Sequence, residues 1–141
     1  TYLAVAFLQV QKKNNQKKIK KKKLPVRYGA AFVLYSGNDV LLLRRPDKGL
    51  LGGMMGFPGT EWGERPSDDA VRAAQPMARN WEKSETTVRH IFTHFDLRLT
   101  VYHAQISLDE REAKDVIWAP LDAIKDYALP TVMTKVLKAA T

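Results

Sequence analysis

The sequence predicts an α+β fold, a single mixed-sheet domain flanked by helices, and three observations carry that expectation. The 141 residues are room for one domain of ordinary size. Hydrophobic residues make up 45% and charged residues 27%, the composition of a chain that buries a core. Strand-like and helix-like runs mix without the βαβ rhythm of a purely parallel sheet, which points to an α+β or three-layer mixed-sheet domain. No internal repeat divides the chain.

Residues 1–10 are mostly apolar but far too short to span a bilayer. A signal peptide carries its basic residues before the apolar stretch; here the lysines follow it, so secretion is not expected. We read residues 1–23 as an upstream remnant followed by a lysine-rich linker, and residues 24–141 as the folded domain. Tyr28 to Tyr35 is nearly all apolar, which suits a strand buried on both faces. Ser36-Gly37-Asn38-Asp39 is a turn, and Val40 to Leu43 returns as the second arm of a hairpin. Residues 46–59 hold five of the eight glycines and two of the seven prolines, so they form a long, shaped loop. Ser67 caps a helix whose first turn carries Asp68 and Asp69, where the helix dipole favours anions, and Pro76 stops or kinks it. Residues 85–108 alternate for far longer than the usual strand of about 5–6 residues, so the chain reverses inside them, around His94 to Asp96. No Gly, Pro or Asn marks that reversal, and an irregular loop is expected there. Val116 to Ala119 reads as a further strand and Leu121 to Asp126 as a brief helix. Pro130 opens a last helix with a core-facing stripe of Val132, Met133, Val136, Leu137 and Ala140.

The net charge of +8 is localised. Eight lysines within residues 12–23 account for the whole excess of 23 basic over 15 acidic residues, and the body is balanced. Such an arm can grip phosphate without sequence preference, or it is a solvated linker. Zero cysteines exclude disulfides, thiolate metal sites and cysteine nucleophiles within the chain, and fit a reducing, cytoplasmic compartment.

The loop Gly49-Leu50-Leu51-Gly52-Gly53-Met54-Met55-Gly56-Phe57-Pro58-Gly59 follows a hairpin and precedes a helix, an order that resembles the Nudix fold. The resemblance implies a Nudix-like α/β/α sandwich with a mixed β-sheet. The Nudix signature then needs carboxylates at fixed steps after Gly59, where they hold the divalent cations that bridge a substrate diphosphate. Counting from Gly59, those steps fall on Arg65, Ala73, Ala74, Met77 and Ala78. The nearby acids, Glu61, Glu64, Asp68, Asp69, Glu82 and Glu85, do not form the paired carboxylates one turn apart that such a site requires.

A narrower resemblance follows from several pieces in order. Leu24-Pro25-Val26-Arg27-Tyr28-Gly29 follows the lysines; then come Arg44-Arg45-Pro46, Phe57-Pro58-Gly59 before Trp62, and His90-Ile91-Phe92-Thr93-His94-Phe95. Trp118-Ala119-Pro120-Leu121 and Ala128-Leu129-Pro130-Thr131-Val132-Met133 close the series. Over residues 24–140 this is similar to the C-terminal domain of MutY-type adenine DNA glycosylases. Met55-Gly56 stands where that family usually has Trp-Glu. In the family, an N-terminal domain carrying an iron–sulfur cluster excises adenine, and the C-terminal domain recognises 8-oxoguanine on the opposite strand. The resemblance implies a recognition module without its own catalytic site or cofactor. Its partners would be double-stranded DNA bearing 8-oxoguanine opposite adenine and a separate glycosylase domain, with no membrane. The family's Phe-Ser/Thr-His reading loop matches Phe92, Thr93 and His94, and Lys17, Lys18, Lys20, Lys21, Lys22 and Lys23 would contact phosphates.

The chemistry of that loop follows from the lesion itself. Guanine presents N7 as a bare acceptor in the major groove, and oxidation at C8 turns N7 into a donor. A hydroxyl such as that of Thr93 can accept from it. An aromatic ring can wedge beside an unstacked base, and a histidine can contact the base or a phosphate. Phe92 equally reads as core, since it shares a strand face with Val88 and His90. His90 and His94 also share a face, but no third ligand is evident for a metal. His90 and His103 read as hydrogen-bonded structural histidines, and Trp62, Trp81 and Trp118 as packing. Two other function classes stay open: a divergent Nudix-type nucleoside-diphosphate hydrolase, and a protein-interaction domain.

Overall fold

The structure, a computed structural model, describes residues 23–112 and 115–141. Its centre is β1 (Val26–Ser36), an apolar strand whose Phe32, Val33 and Leu34 are all buried. At Gly37 the backbone turns through a φ of 61°, which glycine adopts without strain, and the chain returns as β2 (Asp39–Arg44). The two strands pair only at Tyr35↔Val40 and Ser36↔Asp39, then part. The gap between them is filled by the glycine-rich loop as it comes back. Its short β3 (Met55–Gly56) pairs with the end of β2, and the following segment crosses to β1. There Phe32 N–H donates to the Pro58 carbonyl (2.8 Å), and Tyr28 and Gly63 exchange both backbone bonds at 2.7 and 3.0 Å. Gly59 permits this approach, because a Cβ there would stand 2.3 Å from the Ala30 carbonyl oxygen.

On its other edge, β1 runs parallel to β6 (Asp96–Ile106) along its whole length, from Val26↔Asp96 to Ser36↔Ile106. β4 (Glu82–Lys83) and β5 (Val88–Ile91) lie antiparallel against β6, and β7 (Ile117–Pro120) lies antiparallel against β2. The result is one mixed seven-stranded sheet. Strand alternation divides its side chains between two faces. One face carries Ala31, Val33, Leu42, Leu97, Leu99 and Val101, and helix α2 (Thr131–Ala139) covers it with Val132, Met133 and Val136. Each buried Val, Leu or Met among them contributes roughly 1.5–3 kcal/mol relative to exposure. The opposite face carries Leu34, Leu41 and Ile106 under Met77, Trp81 and Trp118.

Helix α1 (Asp68–Ala73) starts at Ser67, whose Oγ accepts from the Ala70 amide at 3.1 Å. It has no buried residue and ends before Pro76, and the irregular segment after it brings Met77 and Trp81 onto Leu34, Leu41 and Ile106. Residues Leu121–Tyr127 form a kinked 3-10 helix. The β1–β2 turn is clasped from outside by Arg111, which donates to the Ser36 hydroxyl and carbonyl and to Asp39 at 2.8–2.9 Å. Among the described residues, no helix is long and apolar enough to cross a membrane.

One expectation needs correction. The reversal between β5 and β6 is a tight four-residue turn, Phe92 to Phe95, closed by Phe92 N–H donating to the Phe95 carbonyl at 2.8 Å. Among the described residues, the non-glycine ones with positive φ are Leu51, Asp115 and Ala128, none in this turn. Its tip runs through ordinary backbone, so it needs no Gly or Asn to mark it.

Candidate nucleic-acid interface

The β5–β6 turn places the three residues of the expected reading loop unequally. Thr93 and His94 are exposed at the tip. Phe92 is half-buried behind them, with its ring against Trp62 (centroids 5.9 Å), His90 (4.8 Å) and Phe95 (4.9 Å). Phe95 is buried in the core on the α2 face. Both readings of Phe92 therefore hold geometrically: it packs against the core, and it backs an exposed tip. Trp62 packs against Gly29, where a Cβ would stand 2.8 Å from the indole Cδ1.

Guanidinium groups stand at both ends of this aromatic row. Arg27 lies 4.3 Å over the Phe95 ring and Arg45 lies 4.7 Å over Trp62. Sequence reasoning missed these two as site residues and treated Trp62 as packing alone. The pairings join β1, the β2–β3 loop and the β5–β6 turn, which no local pattern connects. Arg45 also borders a cleft of about 200 Å³ between the sheet and α2, walled by Trp62, Phe57, Leu99 and Met133. Its Nε is buried without a hydrogen-bond partner among the described residues, and burial lowers its proton affinity.

The turn is anchored beneath by Asp96, the first residue of β6. Arg89 and Arg98 both donate to its carboxylate, at 2.8 and 3.2 Å. Those bonds, Arg89's first, hold the Asp96 carboxyl below its usual range although burial acts the other way. His90 is held by Lys135 of α2, whose ammonium stands 3.0 Å from Nδ1 and donates to the Arg89 carbonyl at 3.0 Å. An ammonium only donates, so Nδ1 accepts and the ring proton is on Nε2. Burial first, and the Lys135 charge second, push the His90 pKa down. His103 faces Glu82 at 3.9 Å. Lys23 is exposed; Lys17, Lys18, Lys20, Lys21 and Lys22 lie outside the described residues.

The acids near the loop do not assemble a metal site. Glu61, Glu64, Asp68 and Asp69 are exposed, and among the described residues no group of three or more His, Asp or Glu side chains could hold a cation. The residues do not fit the divalent metal that a Nudix signature would bind.

A family model for the NUDIX domain matches residues 30–139, and the chain belongs to that family; its mixed-sheet α+β architecture is the NUDIX fold. The C-terminal domain of mouse MUTYH, solved in complex with human PCNA, is similar to it with 25% identity and a TM-score of 0.64. That match covers 80% of this chain and 86% of the mouse chain. The MutT NUDIX hydrolase from Burkholderia pseudomallei matches with 20% identity and a TM-score of 0.63, over 82% of this chain and 98% of its own. The NUDIX domain of Shewanella oneidensis NrtR, solved with ADP ribose, matches with 18% identity and a TM-score of 0.61, over 93% and 94%. These last two share the fold. No curated protein sequence matches the chain.

Proposed function

We propose that this chain is a DNA-lesion recognition module, the 8-oxoguanine-sensing domain of an adenine DNA glycosylase that acts on 8-oxoguanine:adenine mispairs, with no catalytic site of its own. The observation that carries the reading is the exposed Thr93–His94 tip, backed by an aromatic row, in a NUDIX domain whose described residues hold no carboxylate cluster for a metal. The Thr93 hydroxyl accepts from N7–H of the oxidised base, which guanine lacks. His94 contacts the base or an adjacent phosphate. Phe92 supports the tip, and wedges beside the base only by leaving its neighbours. Lys17, Lys18, Lys20, Lys21, Lys22 and Lys23 add phosphate contacts that carry no sequence information. The similarity to the MUTYH C-terminal domain supports the same reading, and a catalytic adenine glycosylase domain is the implied partner.

Amide-resolved NMR with an 8-oxoguanine:adenine duplex tests it. Shifts should concentrate on residues 92–95 and be smaller with a guanine:adenine duplex. Equal shifts with both duplexes, or shifts elsewhere, would contradict the assignment. Adenine should not be released from either duplex by this chain alone, because base excision needs a pocket for the flipped nucleotide.

Two other readings have specific support. Membership of the NUDIX family is the basis of one, a divergent nucleoside-diphosphate hydrolase. Mg²⁺-dependent turnover of 8-oxo-dGTP or ADP-ribose, abolished by Glu61→Gln or Glu64→Gln, would establish it over the recognition reading. The PCNA complex of the mouse domain favours a protein-interaction role. Pull-down of a repair clamp by this chain without DNA would support that role.

A further inference from the structure

Every Asp and Glu of the chain lies among the described residues, so the distribution of ion pairs is complete for the arginines. Arg72, Arg79, Arg89, Arg98 and Arg111 each stand within 4.0 Å of a carboxylate. Arg27, Arg44, Arg45 and Arg65 do not; Arg44 donates to the Gly53 carbonyl at 2.8 Å, and Arg65 lies 4.2 Å over the Tyr28 ring. The charges of Arg27 and Arg45 are held against the rings at the two ends of the row Trp62–Phe92–Phe95. The Thr93–His94 tip projects from the middle of that row, since it links Phe92 to Phe95. Arg27 also shares its β1 face with Gly29, under which Trp62 could not otherwise lie so close, so both guanidiniums belong to the same side of the sheet.

We propose that Arg27 and Arg45 form a phosphate clamp: they bind the DNA backbone on either side of the base that the Thr93–His94 tip reads. This rests on the lesion-recognition reading above. A guanidinium stacked on a ring uses its face there and keeps its in-plane N–H groups, which match a phosphate in bidentate fashion. The stack also fixes the side chain before binding, so little rotamer freedom is lost on contact. The Arg45 Nε is buried out of a phosphate's reach, so the terminal N–H groups of this side chain make the contact, and no carboxylate offsets its charge. The arginines paired with acids are already partly neutralised; Arg27 and Arg45 are the carboxylate-free arginines that lie on the aromatic row behind the tip.

The test uses the whole chain and two fluorescently labelled duplexes, one with 8-oxoguanine:adenine and one with guanine:adenine, titrated across a series of salt concentrations. Arg27→Gln and Arg45→Gln should each weaken binding to both duplexes equally, by roughly tenfold, the size of one charge-assisted hydrogen bond. Each should also reduce the slope of log K against log salt by about 0.9. The ratio between the duplexes should stay unchanged. Arg27→Lys and Arg45→Lys should keep most of the slope. Arg72→Gln removes the same charge from an ion pair elsewhere and should change nothing. Melting temperatures check that each variant folds; if Arg45→Gln does not, Arg45→Lys and Arg27→Gln carry the test. An unchanged slope in folded Arg27→Gln and Arg45→Gln, or an equal loss in Arg72→Gln, overturns the clamp and leaves the lesion reading intact. A reduced slope without any preference of the parent chain for the lesion overturns the lesion reading and leaves the clamp. No duplex binding at low salt overturns both.

Discussion

The hydroxyl of Thr93 sits on an exposed turn tip with no intramolecular partner among the described residues, so its donor and acceptor capacity is free for a ligand. Thr93→Ala should leave binding to a guanine:adenine duplex nearly unchanged. Its preference for the oxidised base should fall by roughly 2- to 13-fold, the worth of one hydrogen bond of about 0.5–1.5 kcal/mol. Competition titrations with the two duplexes measure this. Two positions behind Phe92 on the same hairpin, His90 faces α2 and has a different chemistry. Burial, then the Lys135 ammonium, favour its neutral form, so its pKa lies below the ordinary value of about 6.5. Because the folded state binds the proton less readily than the unfolded one, this group's contribution is complete above about pH 6.5 and is lost as the pH falls. Lys135→Met should raise the His90 pKa part of the way back, since burial remains, and a ring-proton NMR titration reads it directly. That Phe92, Thr93 and His94 lie near a chain reversal was legible in the sequence; their division into a half-buried ring and an exposed tip was not. Arg27 and Arg45 were not, because a cation stacked on a ring from another element leaves no local pattern.

The β5–β6 hairpin owes its shape to what holds its base. Asp96 is almost buried and is bonded by Arg89 across the hairpin and by Arg98 along β6. Asp96→Asn should destabilise the chain by about 1–3 kcal/mol, as charged hydrogen bonds are lost at a buried site. Its folded-state pKa is depressed, so the stabilisation is present above the unfolded value of about 3.9 and lost as pH falls through the folded value. Denaturant melts at pH 7 and in acid should therefore differ less for Asp96→Asn than for the parent chain. The sequence located this reversal near His94 to Asp96 but not its tightness, since turn residues with ordinary backbone angles carry no Gly or Asn signature. It located α1 well, because Ser67, Asp68, Asp69 and Pro76 are local start and stop signals. α2 was legible for the same reason: Pro130 opens it, and Val132, Met133 and Val136 are buried as their spacing requires.

At the scale of the molecule, hairpins and helices follow from neighbours in sequence, and the mixed sheet does not. The parallel pairing of β1 with β6 joins Val26 to Asp96, and the crossing of residues 57–63 into the gap beside β1 joins Gly59 to Ala31. Apolar patterning marks each strand as buried, but says nothing of which partner it takes. The charge distribution was legible as a number: a balanced body and a leader of lysines. Removing residues 1–23 should weaken binding to oxidised and unoxidised duplexes alike and flatten the salt dependence, because phosphate contacts carry affinity and not sequence. The central claim is that this NUDIX domain senses the oxidised base. Fluorescence anisotropy of the purified chain with 8-oxoguanine:adenine and guanine:adenine duplexes, at one salt concentration, tests it most directly. The account predicts tighter binding to the oxidised duplex, with the difference narrowed by Thr93→Ala; equal affinity for the two duplexes would contradict it.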